Sequence, residues 1–238
     1  MSAFAESFRT AASLVLDIDP VLWRTVRLSL AVSLSACLIA AGFGLTAGAW
    51  LAVARFPGRR GLLAVLNTLL ALPSVVVGLV VYLMLSRSGP LGSWGILFTP
   101  SAMVIAQTIL VLPVITALSR QLVADSLRDG GDQLRSMGAG LLTCALLMLL
   151  HDRWAVATVL LTAFGRAIAE VGAVMIVGGN IDGVTRVMTT AIALETSKGD
   201  LPLALALGVV LLAVVGLVNA LVALLPARGT LMREEVRA

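Results

Sequence analysis

Long apolar runs separated by short polar segments dominate the pattern of this 238-residue chain. An α-helix needs about 20 apolar residues to cross the hydrocarbon core of a bilayer. Several runs reach that length, so the pattern predicts an all-α, polytopic membrane protein with about five transmembrane helices. The predicted spans lie at about residues 27–54, 62–85, 100–118, 154–177 and 201–225.

Prolines and one short apolar run complicate this pattern. Pro73 and Pro113 lie inside the second and third predicted spans, where a proline removes one backbone donor and kinks the helix. Together with Gln107 they could shape a pore, although kinks satisfied by neighbouring helices are the more frequent case. The run at residues 139–150 is too short to cross a bilayer alone, so we interpret it as a helix entering from the cytoplasmic surface.

Two polar segments separate the later spans. The stretch at residues 119–137 interleaves charged and apolar residues, which predicts short amphipathic helices broken at Gly130-Gly131. A mixed polar segment follows the fourth span at residues 178–200. Its charged residues are expected on a solvated outer surface, namely Glu195, Lys198 and Asp200.

The two ends of the chain differ from the spans. Residues 1–23 are mildly amphipathic, with a turn signal at Asp19-Pro20, and predict a short helix at the membrane interface. Residues 226–238 form a charged tail that we expect in the cytoplasm. Small residues in the first span predict close helix packing. They are Gly42, Gly44 and Gly48.

Only 13% of the residues are charged, against about 25% in soluble domains. The formal net charge of +4 does not indicate nucleic-acid binding, because the basic residues are scattered between apolar spans. With the N-terminus outside, ten of the 17 basic residues fall in cytoplasmic segments and six in outer segments. Since cytoplasmic loops are enriched in Arg and Lys, this bias predicts an outer N-terminus and a cytoplasmic C-terminus.

The fourth predicted span contains polar residues at membrane depth. Arg166 and Glu170 are four residues apart, so on a helix they share a face and can pair, which lowers the cost of burying each charge. The pair could line a pathway or could be a neutralised structural pair, and the spacing leaves both open. Gly178-Gly179-Asn180 suits a helix C-cap, and a flexible constriction or anion-contacting turn there is compatible with a cap.

Several functional classes lack the residues that they need. A P-loop requires Gly-Lys-Ser/Thr, and the sole lysine, Lys198, is not in such a motif, so energy for active transport must come from a partner or an ion gradient. His151 is the only histidine, and Cys37 and Cys144 form no CxxC, so we predict no catalytic, metal or cofactor site in the chain. A secondary transporter without an ATPase is an alternative, and Glu170 is the only acidic residue deep in a span that could couple an ion.

Asp132, Gly138 and Leu150 match the acidic, Gly and Leu positions of a known cytoplasmic signature, whereas its Ala pair and final Pro are missing. This signature belongs to the permease subunits of ABC importers, which the chain resembles. Phe164–Ile181 resembles the tungstate-importer permeases in particular, as does Thr189–Thr196. Segments similar to molybdate-type permeases are Ala54–Arg59, Leu72–Gly78 and Ser88–Gly92.

The resemblance covers about residues 24–225 and implies the transmembrane domain of an importer for tungstate, with molybdate or sulfate as alternatives. It implies a permease homodimer in a prokaryotic inner membrane, two separate ATPase subunits that hold ATP and Mg²⁺, and an extracytoplasmic oxyanion-binding protein. A coupling helix at about residues 121–140 would dock on each ATPase. The candidate coupling residues are Asp125, Leu127, Asp132, Leu134, Arg135, Met137 and Gly138. The candidates for a translocation pathway or buried pair are Arg166, Glu170, Asn180, Pro73 and Gln107.

Overall fold

The computed structural model describes Arg9, Ala12, Ser13, Leu16 and residues 19–224, so the predictions for the 226–238 tail and for most of the 1–23 segment lie outside the described residues. Across this described part the chain is helical and contains no strand. The helices are α1 (Pro20–Val53), α2 (Arg59–Leu70), α3 (Ser74–Leu85), α4 (Pro100–Ser136), α5 (Leu141–His151), α6 (Arg153–Ile168), α7 (Gly172–Gly178), α8 (Met188–Lys198) and α9 (Leu201–Leu224).

Among the described residues, three helices are long and apolar enough to cross a membrane, namely α1, α4 and α9. Two further candidate spans are helix pairs bent at a short break, α2 with α3 by 98° and α5 with α6 by 78°. The all-α, polytopic prediction is therefore confirmed, with five spans if each bent pair counts as one. The fifth span was predicted almost to the residue, because α9 is a continuous apolar helix that begins at Leu201.

Helix α1 begins earlier than the predicted Arg27. The Asp19 carboxylate accepts hydrogen bonds from the backbone N–H groups of Val21 at 3.0 Å and Leu22 at 2.9 Å. Pro20 occupies the first helical position, where its missing N–H costs nothing. The predicted turn at Asp19-Pro20 is therefore the N-cap of the first long helix.

Helix α4 is continuous for 37 residues, so the predicted break at Gly130-Gly131 is wrong and the third predicted span is the first part of a longer helix. A glycine in a helix costs only about 1 kcal/mol relative to alanine. Packing offsets that cost here, because Gly131 is buried and a Cβ at Gly130 would touch the side chain of Met148 on α5. A helix of this length spans about 55 Å, so α4 must extend well beyond a bilayer core.

Pro73 breaks the second span completely, where the sequence predicts only a kink. Helix α2 ends at Leu70, and Pro73 itself has extended backbone angles immediately before α3. The residue before a proline disfavours helical angles, which explains why the break includes Leu72. The chain therefore turns by 98° at this point.

Close packing of α1 against α4 forms the centre of the bundle. The Gly44 carbonyl accepts a hydrogen bond from Ser119 Oγ at 3.2 Å. A Cβ at Gly48 would overlap Ser119 Oγ and lie 2.7 Å from the Thr116 carbonyl oxygen. A Cβ at Gly42 would meet nothing within 4 Å. The predicted role of small residues is confirmed for Gly44 and Gly48 and is wrong for Gly42.

We expect Gly48→Ala to lower the free energy of unfolding by about 1–3 kcal/mol, because the added methyl group forces α1 away from α4. Denaturant unfolding of the purified permease in detergent measures this change. Gly42→Ala is the matched control on the same helix and should leave the unfolding midpoint unchanged or slightly higher, since alanine favours helix. Equal midpoints for the two variants would contradict the close helix crossing.

Candidate translocation and coupling sites

The fourth predicted span is broken beside its ion pair. Helix α6 ends at Ile168 and α7 starts at Gly172, so the single helix predicted over 154–177 is wrong. The predicted pairing is confirmed, because Arg166 Nη1 lies 3.1 Å from Glu170 Oε2. The other carboxylate oxygen, Oε1, accepts a hydrogen bond from the Ala173 N–H at 3.3 Å, so Glu170 also binds the amino end of α7.

Side chains from two other helices satisfy the backbone at this break. Gln107 on α4 is buried, and its Nε2 donates a hydrogen bond to the Ala167 carbonyl at 3.0 Å. Thr189 on α8 donates from Oγ1 to the Glu170 carbonyl at 2.7 Å. An irregular backbone in a membrane protein requires such partners, since lipid offers none. The contacts therefore explain how a helix break is stable at this depth.

A narrow crevice with no room for a water molecule separates the ion pair from α4. Glu170 is 5% exposed, whereas 49% of the Arg166 side chain is exposed in the single chain. The buried Oε1 of Gln107 has no hydrogen-bond partner among the described residues. The crevice thus combines a guanidinium group with unused donors, a paired carboxylate and one free amide oxygen. No solute fits between these groups in this conformation, so here the pair locks the helix break, and a role in the pathway requires the crevice to open.

The two broken spans meet, which the sequence did not predict. A Cβ at Gly172, the first residue of α7, would lie 2.8 Å from Ser74 Oγ, directly after Pro73. A Cβ at Gly78 on α3 would lie 2.8 Å from the Ala173 Cα. Small residues at a close helix contact were the available signal, but small-residue packing had been predicted only for the first span. The Pro73 break therefore lies next to the Glu170 break.

Asn180 lies at a separate site, at the end of α7. Gly179 and Asn180 have φ angles of 70° and 51°, so the predicted helix C-cap is confirmed. Asn180 Nδ2 donates to the Thr190 carbonyl at 3.4 Å, and its buried Oδ1 has no partner in the described part of the chain. The turn is stabilised by Thr185, whose Oγ1 donates to the Gly178 carbonyl. Asn180 is therefore held by α8 and not by the Arg166–Glu170 pair.

Glu195 is only 6% exposed, so the prediction that it lies on a solvated surface is wrong. Met188 and Ala191 lie on the buried face of α8, within the cluster that includes residues of α9. Glu195 follows Ala191 by four residues and therefore lies on that same face. Lys198 Nζ neutralises its carboxylate at 3.0 Å.

The predicted coupling residues lie at the far end of α4 and in the turn that follows. The segment is not a separate coupling helix, because α4 continues to Ser136 before a turn that leads to α5 at Leu141. Met137 is 82% exposed, and Gly138 has a φ of 86°, which strongly favours glycine. Exposed ion pairs join Asp125 to Arg128 and Asp132 to Arg135, whereas Leu127 and Leu134 are half-buried.

The bundle of apolar spans and its polar helix breaks define an α-helical, multi-pass membrane protein. No protein-family model matches the chain. It is 42% identical over 226 residues to the tungstate uptake system permease protein of Peptoclostridium acidaminophilum, which covers 93% of this chain and 97% of that protein. It is 46% identical over 198 residues to a probable anion ABC transporter permease of Haloferax volcanii, which covers 81% of this chain and 85% of that protein.

A third relative, the tungstate uptake system permease protein of Campylobacter jejuni, is 40% identical over 164 residues, 69% of each chain. The chain therefore belongs to the ABC transporter permeases for oxyanions. Permeases of this family are not enzymes themselves, and a separate subunit hydrolyses ATP. This agrees with the prediction that the chain carries no P-loop.

Proposed function

We propose that this chain is the pore-forming permease of an ATP-driven tungstate importer. The observation that carries this proposal is the similarity to two permeases named for tungstate uptake, which covers 93% of the chain for one and 69% for the other. The signature-like segment Phe164–Ile181 supports it structurally, because this segment forms the broken span with the Arg166–Glu170 pair, whose carboxylate is buried. Selectivity for tungstate is expected to reside mainly in the extracytoplasmic binding protein, since tight binding in the pore would slow release.

The proposed assembly is a permease homodimer with two ATPase subunits on its cytoplasmic face. The bias of arginines toward one set of loops supports an outer N-terminus and a cytoplasmic C-terminus. On that orientation Met137 and Gly138 lie on the cytoplasmic side, where an exposed apolar side chain at a rigid turn suits a docking groove. The binding protein would approach the opposite face, which includes the turn at Asn180.

Helix α4 supports a direct mechanical link between docking and pathway. The same continuous helix carries Gln107, which bonds to the helix break, and ends at Ser136, about 44 Å further along its axis and directly before Met137. A displacement of its cytoplasmic end by ATP-driven closure of the ATPases would therefore act on the Ala167 carbonyl. We infer that alternation between inward- and outward-facing states changes the packing at this break.

The proposed function is tested by reconstituting the permease with the ATPase encoded beside it in liposomes. ATPase activity is measured with binding protein that is empty or loaded with tungstate, molybdate or sulfate. We expect stimulation only with the tungstate-loaded protein. Stimulation by another oxyanion would retain the importer and change its substrate, whereas failure to associate with any ATPase would favour a secondary transporter.

A further inference from the structure

An open cavity of about 570 Å³ lies at the same end of the bundle as the Met137 turn. It is formed by the end of α1, the loop and first residue of α2, the second half of α4 and the start of α5. Five arginines line it, and Asp132 is the one acidic residue in its lining as described. The arginines are Arg55, Arg59, Arg120, Arg128 and Arg135.

Three of these arginines already have partners. Arg59 donates from Nε and Nη2 to the Leu51 carbonyl at 3.3 and 3.0 Å, which neutralises the carboxyl end of α1. Arg128 and Arg135 form exposed ion pairs with Asp125 at 3.4 Å and Asp132 at 3.6 Å. Such exposed pairs are weak and can be exchanged for another anion.

The other two arginines have unused donors. The side chains of Arg55 and Arg120 make no ion pair or hydrogen bond with any described residue, and Arg120 is half-buried. Each guanidinium offers five donors in a planar fork that matches a carboxylate or phosphate edge. The cavity therefore presents uncompensated positive charge, and an anion bound there would relieve repulsion between the arginines.

The helical register supports a built site. Arg120, Arg128 and Arg135 are eight and seven residues apart, so they lie on one face of α4. Topogenic arginines need only lie on the cytoplasmic side of the membrane, and that role does not require them to converge on one cavity. The loop arginine Arg55 and the α2 arginine Arg59 approach the same face from the other side.

We propose that this cavity binds a tetrahedral oxyanion of the phosphate type, supplied as a free inorganic anion or as an anionic phospholipid headgroup. Its volume suits either ligand together with the hydrating water that an open site retains. Because Asp132 and Arg135 belong to both the cavity wall and the coupling segment, the bound anion would brace the end of α4. The cavity shares no lining residue with the crevice at the Arg166–Glu170 pair, and the proposal does not depend on the identity of the transported substrate.

The test compares the full chain with Arg55→Gln and Arg120→Gln in phosphatidylcholine nanodiscs. One arm measures binding of radiolabelled inorganic phosphate by equilibrium dialysis. The other adds phosphatidylglycerol to the nanodiscs and measures, by native mass spectrometry, the lipid that stays bound. We expect saturable binding in at least one arm and a loss of about tenfold in affinity for each variant, since each removes a charge-assisted contact. The arm that shows binding identifies the source of the anion.

Arg60→Gln is the matched control, because Arg60 is an exposed arginine beside Arg59 that does not line the cavity. It should bind like the unmodified chain. Arg55→Lys and Arg120→Lys keep the positive charge and therefore separate loss of the charge from misfolding of the Gln variants. They should weaken binding less than the Gln variants. The proposal is overturned if neither ligand binds, if Arg60→Gln weakens binding equally, or if docked ATPase subunits displace the ligand, since the cavity would then belong to the subunit interface.

Discussion

Replacing Glu170 by Gln should lower the free energy of unfolding by about 2–3 kcal/mol and abolish transport. The substitution removes the partner of Arg166 and leaves that guanidinium unpaired at membrane depth. It also weakens the acceptor for the Ala173 N–H, which stabilises the amino end of α7. We expect a smaller loss in the free energy of unfolding than for a fully buried pair, because about half of the Arg166 side chain is exposed in the single chain.

A double-mutant cycle measures this effect and separates the two roles of the pair. Unfolding in detergent and tungstate uptake in liposomes are compared for Arg166→Gln, Glu170→Gln and the double variant. Asp125→Asn, which breaks an exposed pair, is the control for loss of a carboxylate and should unfold like the unmodified chain. If the double variant recovers stability and transport, the pair is structural. If the double variant recovers stability but not transport, the pair belongs to the pathway. Unchanged stability and uptake in Glu170→Gln would contradict both roles.

Met137→Asp is expected to weaken ATPase docking by about 100-fold and to remove stimulation by the loaded binding protein. The substitution places a charge where an apolar side chain would enter the groove of the ATPase subunit. Because Met137 is 82% exposed in the chain, the permease itself should fold normally. Binding of the ATPase to permease nanodiscs and the stimulated ATPase rate measure the two effects.

Met137→Leu is the matched variant that keeps an apolar side chain and should dock normally. Gly138→Ala tests the turn separately, since its φ of 86° costs an L-residue about 1–2 kcal/mol. That variant should redirect Met137 and reduce docking less than Met137→Asp does. Full docking by Met137→Asp would show that the ATPase contacts another surface.

Local properties of the chain were sufficient to predict much of the architecture. Apolar length predicted α1, α4 and α9 as spans, because crossing a bilayer depends on the composition of one segment. The spacing of four residues predicted the Arg166–Glu170 pair, and Gly179 predicted a helix cap. Each of these features depends on residues within one contiguous segment of the chain.

Features that depend on distant residues were not predictable in the same way. Gln107 satisfies a carbonyl 60 residues away at the break between α6 and α7, and no local pattern places that break. Packing against α5 keeps α4 continuous through Gly130-Gly131, where local propensity predicts an end. Burial of Glu195 likewise follows from the face that α8 presents to α9.

The same contrast applies to function. The order of residues was enough to predict a membrane permease and the family that it resembles, since both depend on composition and contiguous motifs. Only the tertiary structure joined the Pro73 break to the Glu170 break and gathered arginines from α2, α4 and a loop around one cavity. The physical reason is that the hydrocarbon core of a membrane offers no hydrogen-bond partners. A polar group there is satisfied by a helix that packs beside it, and the local sequence does not specify which helix that is.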